Sequence, residues 1–184
     1  MAQGKLIVIS SPSGGGKSTI IEQILKKDPS LGYSVSATTR HPRQGEKDGI
    51  DYFFWDKDQF IENIDEGAFL EWKEVHGHYY GTLKEQVKKQ IDEGRPVLLD
   101  VDVQGGIDLK QKQPEAMLIF ILPPSLDVLK DRLIKRGTES GDDLKLRLSN
   151  AEKELSMADY YDFQVINLTL EKTVQEVLAI IHNQ

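Results

Sequence analysis

Short apolar runs alternate along the chain with stretches in which apolar residues recur at helical spacing. The run 6–9 is apolar at every position, which is typical of a strand buried on both faces of a parallel sheet. Similar runs lie at 97–99 and 117–121, and a last predicted strand, which contains one polar residue, lies at 163–166. Each of these is followed by a segment with helical spacing. Strands that alternate with helices predict an α/β fold, in which helices flank a parallel sheet on both faces.

Polar residues indicate where several helices begin and end. The helix after the first run is expected to end before Asp28, and Ser125 is expected to cap the helix that follows the third run. Capping-box patterns begin at Asp56 and Thr82, each with Gln or Glu three positions later, and predict two more helices. Apolar residues at helical spacing predict a further helix across 144–155.

Residues 33–94 differ in composition from the rest of the chain. Most of the aromatic residues lie here, including both tryptophans, and glycines separate short segments. Two aromatic segments, 52–55 and 69–72, are expected to form strands. From this composition we interpret 33–94 as a small insertion of short strands and two helices. The sequence has neither an internal repeat nor a linker long enough to separate independent domains.

Composition and charge narrow the possible functions. The 184-residue chain is long enough for a real hydrophobic core, and its 39% hydrophobic and 29% charged residues are typical of a folded globular protein. The net charge of −7 argues against a general nucleic-acid binder and a polybasic membrane-surface protein. The absence of cysteine excludes disulfides, thiolate catalysis and Cys-based zinc sites. With no apolar run of membrane-spanning length and no signal-peptide pattern, we expect a cytoplasmic protein.

The strongest motif follows the first predicted strand. Residues 11–18, Ser-Pro-Ser-Gly-Gly-Gly-Lys-Ser, match the phosphate-loop pattern G-x-x-x-x-G-K-[ST] except that Ser11 replaces the first glycine. Glycines let backbone N–H groups surround a phosphate, and the N-terminus of the next helix adds a partial positive charge. Lys17 is expected to bridge the β- and γ-phosphates of a nucleotide, and the Ser18 hydroxyl to ligate Mg²⁺. The alternative is a glycine-rich turn without a ligand.

A phosphate loop alone does not distinguish a kinase from an ATPase or a GTPase. The GTPase motif N-K-x-D is absent from the sequence. Arg40 and Arg43 lie beside several hydroxyl residues, and arginine suits bidentate contacts with phosphate oxygens. Tyr52 and Tyr80 can donate phenolic hydrogen bonds to the same group. These four residues favour a second, phosphorylated substrate, with a solvated surface loop as the alternative for the arginines.

Several motifs occur in order from Leu6 to the end of the chain, and together they resemble the guanylate kinase family. They are S-P-S-G-G-G-K-S-T, V-S-A-T-T-R-H-P-R-x-G-E-x-x-G-x-D-Y-x-F, F-L-E-W, Y-Y-G-T, L-D-V-D-V-Q-G and R-L-x-x-R-G-T-E. The resemblance implies a phosphate-loop kinase fold that transfers the γ-phosphoryl group of ATP, with Mg²⁺, to GMP or dGMP. It also implies an ATP-binding core (1–32, 95–136 and 151–184), a GMP-binding insertion (33–94) and a mobile lid (137–150).

The resemblance further implies a role for each residue that matches a family motif. The GMP phosphate would contact Arg40, Arg43, Tyr52 and Tyr80. The guanine would contact Ser36, Glu71, Thr82 and Asp102. ATP would contact Ser11, Pro12, Ser13, Gly14, Gly15, Gly16, Lys17, Ser18 and Thr19, with Asn167 near the adenine. The catalytic cations would be Lys17, Arg43, Arg132, Arg136 and Arg147, and Mg²⁺ would be held by Ser18 and Asp100.

The chemistry of individual residues supports part of this assignment and leaves alternatives open. Glu71 offers two acceptors that match the N1–H and N2–H donors of guanine, although a glutamate in a strand is often an exposed edge charge. Thr82 has a second candidate role as a helix N-cap. Asp100 and Asp102 have the alternative of capping the turn after a strand, although the position of Asp100 opposite the phosphate loop favours the metal role.

The reaction implied by the resemblance requires no general base, because the attacking phosphate oxygen of GMP is already anionic at neutral pH. Catalysis would then rest on positioning and positive charge. None of the four histidines has metal-ligand spacing, and none is expected to be catalytic. Two other classes stay open, a non-catalytic binding module and a kinase for a different phosphorylated acceptor. We expect no nucleic-acid, membrane or obligate protein partner.

Overall fold

A computed structural model of the chain describes residues 4–75, 77–135 and 141–183. The strands of this part are β1 (Leu6–Ser10), β2 (Gly32–Ser34), β3 (Ala37–Thr38), β4 (Phe53–Phe54), β5 (Phe69–Val75), β6 (His78–Leu83), β7 (Val97–Asp100), β8 (Met117–Leu122) and β9 (Phe163–Ile166). Its helices are α1 (Lys17–Lys27), α2 (Lys57–Asp65), α3 (Lys84–Asp92), α4 (Val103–Lys112), α5 (Leu126–Lys135), α6 (Gly141–Leu155) and α7 (Leu170–His182). A 3₁₀ turn lies at Ala158–Tyr160.

The larger sheet has five strands in the order β2-β7-β1-β8-β9, and every neighbouring pair is parallel. Its central strands are apolar on both faces because helices cover both sides. Ile7 and Ile9 of β1 pack on one face with residues of α1 and α7, whereas Val8 packs on the other with Val103 and Leu109 of α4. The parallel sheet flanked by helices, expected from the apolar runs, is therefore confirmed.

The end expected before Asp28 is confirmed, because α1 ends at Lys27, and three predicted N-terminal caps can also be checked directly. The Asp56 side chain accepts a hydrogen bond from the Gln59 N–H at 2.8 Å, and the Ser125 hydroxyl accepts one from the Val128 N–H at 3.2 Å. Both predicted caps are confirmed. The capping box expected at Thr82 is wrong, because α3 has Leu83 at its N-cap position without a side-chain hydrogen bond. Thr82 instead belongs to β6, and its hydroxyl is bonded elsewhere.

A second, four-stranded sheet has the order β4-β3-β6-β5 and lies within the predicted insertion. Its small core contains Ala37, Phe60 and Phe69, with partly buried aromatic residues packed around them. The strand expected at 52–55 is only two residues long, and the one expected at 69–72 extends to Val75. The predicted range 33–94 also includes most of β2, which pairs with β7 in the larger sheet. The division into domains and a lid stays a prediction.

The carboxyl ends of β1 and β7 position the site. Ile9 and Asp100 are partners in the parallel register, so the loops that follow the two strands lie side by side. Helix α4 starts from the second of these loops and contacts β5, which joins the two sheets. Helix α6 packs on α5 through Ala151, Leu129 and Leu133, as its apolar spacing predicts. No helix within the described residues is long and apolar enough to cross a membrane.

Candidate active site

A cavity of about 260 Å³ lies between the phosphate loop, the four-stranded sheet and α6. Most of the residues predicted for the two substrates line it. They are residues 11–18 of the loop, Ser36, Arg40, Arg43, Tyr52, Glu71, Tyr80, Asp100, Asp102 and Arg147. The lining does not include Thr19, Thr82, Arg132 or Asn167. Arg136, predicted as a catalytic cation, lies outside the described residues.

The phosphate loop has the backbone conformation that its glycines permit. Gly14 and Gly16 have φ angles of +86° and +90°, which residues with a side chain rarely adopt. The Gly15 N–H donates to the Pro12 carbonyl at 2.9 Å, which closes the turn, and α1 begins at the next residue but one. The loop is thus a tight turn at a helix N-terminus, the local geometry that binds phosphate.

Lys17 points across the sheet edge towards β7. Its Nζ atom lies 2.6 Å from Asp100 Oδ1 and donates to the Val101 carbonyl at 2.8 Å. Both side chains of the ion pair are largely buried, at 17% and 13% exposure. A phosphate that binds Lys17 must therefore share its ammonium group with the carboxylate of Asp100 or displace that carboxylate.

The rear of the loop is held by residues that do not line the cavity. The Gly15 carbonyl accepts hydrogen bonds from Asn167 Nδ2 at 2.9 Å and from Arg132 Nη1 at 3.3 Å. The Thr173 hydroxyl donates to Asn167 Oδ1 at 3.2 Å. In this conformation Asn167 and Arg132 support the backbone of the phosphate loop, a contact that their motifs did not indicate. Thr173 was not predicted, and no sequence signal pointed to it.

Glu71 lines the cavity from β5 and is buried, with 7% of its surface exposed. The Thr82 hydroxyl donates to Glu71 Oε1 at 2.6 Å. Burial raises the pKa of Glu71 to about 7, with a further contribution from Asp102 that the Thr82 hydrogen bond and Lys17 oppose. The alternative of an exposed edge charge is therefore wrong for this glutamate. Thr82 lies behind it and orients its carboxylate.

Asp102 combines a place in the cavity with a structural role. It is the N-cap of α4, and its Oδ1 accepts the Gly105 N–H at 2.5 Å. A Cβ atom at Gly105 would lie 2.8–3.0 Å from Val101, Asp102 and Glu71, so only glycine fits between them. Capping, an alternative left open for Asp102 by the sequence, is thus confirmed, and it fixes the carboxylate beside Glu71.

The arginine and tyrosine residues form a second group in the cavity. Arg40 makes two hydrogen bonds of 2.9 Å to Glu46, and its guanidinium carbon lies 5.4 Å from the centre of the Tyr52 ring. Tyr52 meets Tyr80 edge to face, with ring centres 6.1 Å apart. Glu46 also accepts the Arg43 N–H at 2.6 Å. Although burial opposes the shift, these bonds leave the pKa of Glu46 below its ordinary value.

Three charged residues of this region were not predicted from the sequence. Glu46 orients Arg40, and its place in the matched motif was the signal that could have identified it. Lys73 lines the cavity and pairs with Asp108 of α4 at 2.5 Å. Glu154 lines it from α6, seven positions after Arg147, and helical spacing could have placed the two residues on one face.

The charges of the cavity suit phosphorylated ligands. Although the chain carries a net charge of −7, five cationic side chains line this one cavity, namely Lys17, Arg40, Arg43, Lys73 and Arg147. The described residues contain no group of three or more His, Asp or Glu side chains able to hold a metal ion. The hydroxyl of Ser18 and the carboxylate of Asp100 are the oxygen ligands that suit a Mg²⁺ ion bound mainly by water and phosphate.

Comparisons with known proteins agree with this geometry. Residues 3–184 match the family model described as guanylate kinase. The chain is 49% identical to the guanylate kinase of Caldanaerobacter subterraneus, with coverage of 97% of this chain and 87% of that protein. It is 44% identical to that of Thermotoga maritima, with coverage of 99% and 88%. The crystal structure of guanylate kinase from Anaplasma phagocytophilum is similar, with a TM-score of 0.83, 30% identity and coverage of 100% and 87%.

The family model and these relatives each span almost the whole chain, rather than the phosphate loop alone. The similarity therefore includes the four-stranded sheet as well as the parallel core. On these grounds the chain belongs to the guanylate kinase family.

Proposed function

We propose that this protein carries out the reaction of its family in the cavity between the phosphate loop and the four-stranded sheet. As a guanylate kinase it is a nucleoside monophosphate kinase, which transfers the γ-phosphoryl group of ATP to GMP and gives ADP and GDP. The observation that carries our assignment of the site is the buried carboxylate of Glu71, which lines the same cavity as the phosphate loop. A cavity with only a phosphate loop would not select a guanine.

The donor side of the site is the phosphate loop. Its backbone N–H groups and the N-terminus of α1 would bind the phosphates of ATP, and Lys17 would exchange Asp100 for the β- and γ-phosphate oxygens. We propose that Asn167 acts here through the Gly15 carbonyl as well as near the adenine. Arg132 contacts the same carbonyl, which favours a role in holding the loop close to the transferred group.

The acceptor side is the group formed by Arg40, Arg43, Tyr52 and Tyr80, next to the buried pair of Glu71 and Thr82. The guanidinium groups would bind the GMP phosphate, while Glu71 would accept hydrogen bonds from guanine N1–H and N2–H. Ser36 and Asp102 line the same cavity and would make further base contacts. Because the hydroxyl of Thr82 already donates to Oε1, the carboxylate is oriented before GMP arrives.

Catalysis would rest on positioning and positive charge rather than on a general base. A phosphate oxygen of GMP attacks the γ-phosphorus, the bond to the bridging oxygen of ATP breaks, and ADP leaves with the electron pair. Lys17, Arg43, Arg132 and Arg147 would stabilise the charge that spreads over the transferred oxygens. We extend this role to Arg136 from its motif alone.

Mg²⁺ fits the oxygen ligands at the donor side. Ser18 and Asp100 would hold the ion, which when bound neutralises phosphate charge during the transfer. Asp100 would then exchange its partner Lys17 for the metal, so both partners of the ion pair would turn towards the nucleotide. Because ATP and GMP are nucleotides of the cytoplasm, we propose that the protein acts there.

A coupled assay of ADP release tests this proposal. It would compare GMP, dGMP, AMP, IMP, CMP and UMP as acceptors, each with MgATP and after chelation of the metal. We expect GMP to be the best acceptor by at least two orders of magnitude over AMP, with activity that requires the metal. Absence of turnover with every acceptor would favour a non-catalytic binding module. A preference for a nucleotide other than GMP or dGMP would contradict the assignment of Glu71.

A further inference from the structure

The carboxylate of Glu154 contacts the backbone of the phosphate loop. The Ser13 N–H donates to Glu154 Oε2 at 3.1 Å, between residues that are 141 positions apart in the chain. This contact joins α6 to the loop, and it is separate from the contacts of Asn167 and Arg132 at the Gly15 carbonyl. The phosphate loop is thus held from two sides, by an acceptor at Ser13 and by donors at Gly15.

A carboxylate is an unexpected side chain beside a site for a triphosphate. Negative charge near the phosphates weakens their binding. Burial raises the pKa of Glu154, with a smaller contribution from Asp102, whereas the hydrogen bond from Ser13 and the charge of Lys17 oppose this shift. Packing of α6 alone would need only an apolar residue, and leucines and Ala151 already pack this helix on α5. A glutamate that faces the cavity therefore indicates a polar function, and the hydrogen bond to Ser13 supplies one.

The position of Glu154 on α6 links that function to a catalytic cation. Arg147 and Glu154 are seven positions apart, which is two helical turns, and both line the cavity. Residues at this spacing share one face of a helix, so a contact that fixes Glu154 also fixes the axial position and rotation of the helix at Arg147. The Ser13–Glu154 bond is the point at which this face meets the loop.

We propose that Glu154 is a positioning residue, which fastens the phosphate loop to α6 and so holds Arg147 in register with the donor phosphates. The inference rests on the proposed function of the cavity. The acceptor atom is what matters in this role, and the negative charge is not required. A neutral side chain of the same length with a carbonyl oxygen should therefore replace glutamate, whereas a side chain without an acceptor should not.

Three variants test the inference. Glu154→Ala removes the acceptor, Glu154→Gln keeps one, and Glu152→Ala removes an exposed carboxylate of the same helix as a matched control. Loss of the acceptor leaves the partly buried Ser13 N–H without its partner, and this cost, which does not depend on the charge of the acceptor, corresponds to about a five- to hundredfold effect. We expect Glu154→Ala to lower kcat/KM for ATP and to weaken binding of a fluorescent ADP analogue by at least tenfold. The KM for GMP should change less than threefold, because the acceptor side does not contact Ser13.

We expect Glu154→Gln to have a kcat/KM for ATP within threefold of that of the unmodified protein. The control variant Glu152→Ala should have the same kcat/KM as the unmodified protein. Circular dichroism and thermal melting would establish that each variant is folded. Glu154→Ala within threefold of the unmodified protein in kcat/KM for ATP would overturn the inference, as would a Glu154→Gln variant as impaired as the alanine variant. An unmodified protein inactive towards GMP would instead overturn the proposed function, so the two failures are distinguishable.

Discussion

Replacement of Glu71 by glutamine should make the ligand-free protein more stable and the enzyme less selective. The carboxyl group has a pKa of about 7 in the folded protein, compared with an ordinary value of 4.5, chiefly because it is buried. This difference corresponds to roughly 3 kcal/mol, since one pKa unit is about 1.4 kcal/mol. The folded protein is therefore destabilised by this free energy when Glu71 is ionised, and a neutral glutamine removes the destabilisation.

The pH dependence of this effect has a definite direction. Because folding raises the pKa of Glu71, the folded state binds a proton more tightly than the unfolded state, and its cost is largest above pH 7. Glu71→Gln should therefore raise the free energy of unfolding by about 1–3 kcal/mol at pH 8. At roughly 2–4 °C of melting temperature per kcal/mol, the shift is measurable. It should fall to about a quarter of this size by pH 5, and vanish only below the ordinary pKa of 4.5.

Although Glu71→Gln should raise the stability of the protein, it should lower the selectivity for GMP over AMP. The ionised carboxylate accepts two N–H groups of guanine, whereas adenine presents an unprotonated N1 and has no amino group at C2. A hydrogen bond to a charged group is worth about 1.5–3 kcal/mol, and an unmet buried charge costs more, so GMP should exceed AMP by two or more decades in kcat/KM. Glutamine at position 71 keeps one acceptor and turns a donor towards the donors of guanine. This change should lower kcat/KM for GMP more than kcat/KM for AMP.

Two measurements check this reasoning. Thermal or urea unfolding at pH 5 and pH 8 compares the stability of the two proteins, and kcat/KM for GMP and AMP compares their selectivity. The phosphate of GMP also titrates near pH 6, so the glutamine variant is the control that isolates the contribution of Glu71. A stability difference that is the same at both pH values would refute the burial argument. A GMP/AMP ratio within threefold of the unmodified protein would refute base recognition by Glu71.

Three other predictions follow from the cavity and its ion pairs. Lys17→Ala should lower phosphoryl transfer by about two to three orders of magnitude, as checked in the ADP-release assay, whereas Lys26→Ala on the exposed face of α1 should not. Because the hydrogen bond from Lys73 lowers the pKa of Asp108 although burial opposes the shift, Lys73→Ala should destabilise the protein near neutral pH. Unfolding curves should show this difference fade as the pH falls below 3.8, the ordinary pKa of an aspartate. Small-angle scattering should show a smaller radius of gyration with both nucleotides bound, and an unchanged radius would contradict closure of the insertion and the lid.

Much of the parallel core was predictable because its signals are local. A strand buried on both faces has to be apolar at every position, so the run 6–9 predicts its own burial, and the phosphate loop predicts the turn and helix that follow. Asp56 and Ser125 cap helices in the way their spacing predicts. Each of these predictions depends on residues within a few positions of one another.

The incorrect and missing predictions concern contacts between distant segments. Thr82 has the spacing of a helix cap, but its hydroxyl donates to Glu71 across the antiparallel pair of β5 and β6, and that competing bond displaces the start of the helix. The contacts of Thr173 with Asn167 and of Glu154 with Ser13 join elements that only the folded chain brings together. Nothing within a short window of sequence could indicate either of them.

Three of the five cations that line the cavity are paired with carboxylates of the protein itself. Lys17 pairs with Asp100, Arg40 with Glu46 and Lys73 with Asp108. Nucleotide binding therefore exchanges or shares existing partners, and the affinity reflects the difference between two sets of ion pairs rather than the full attraction of a free cation for phosphate. Such pairing orients these three cations, so little side-chain entropy remains to be lost when a nucleotide binds. The same carboxylates explain how a chain with a net charge of −7 can bind two phosphorylated substrates: the surplus of acidic residues lies partly within the site, where it orients the cations.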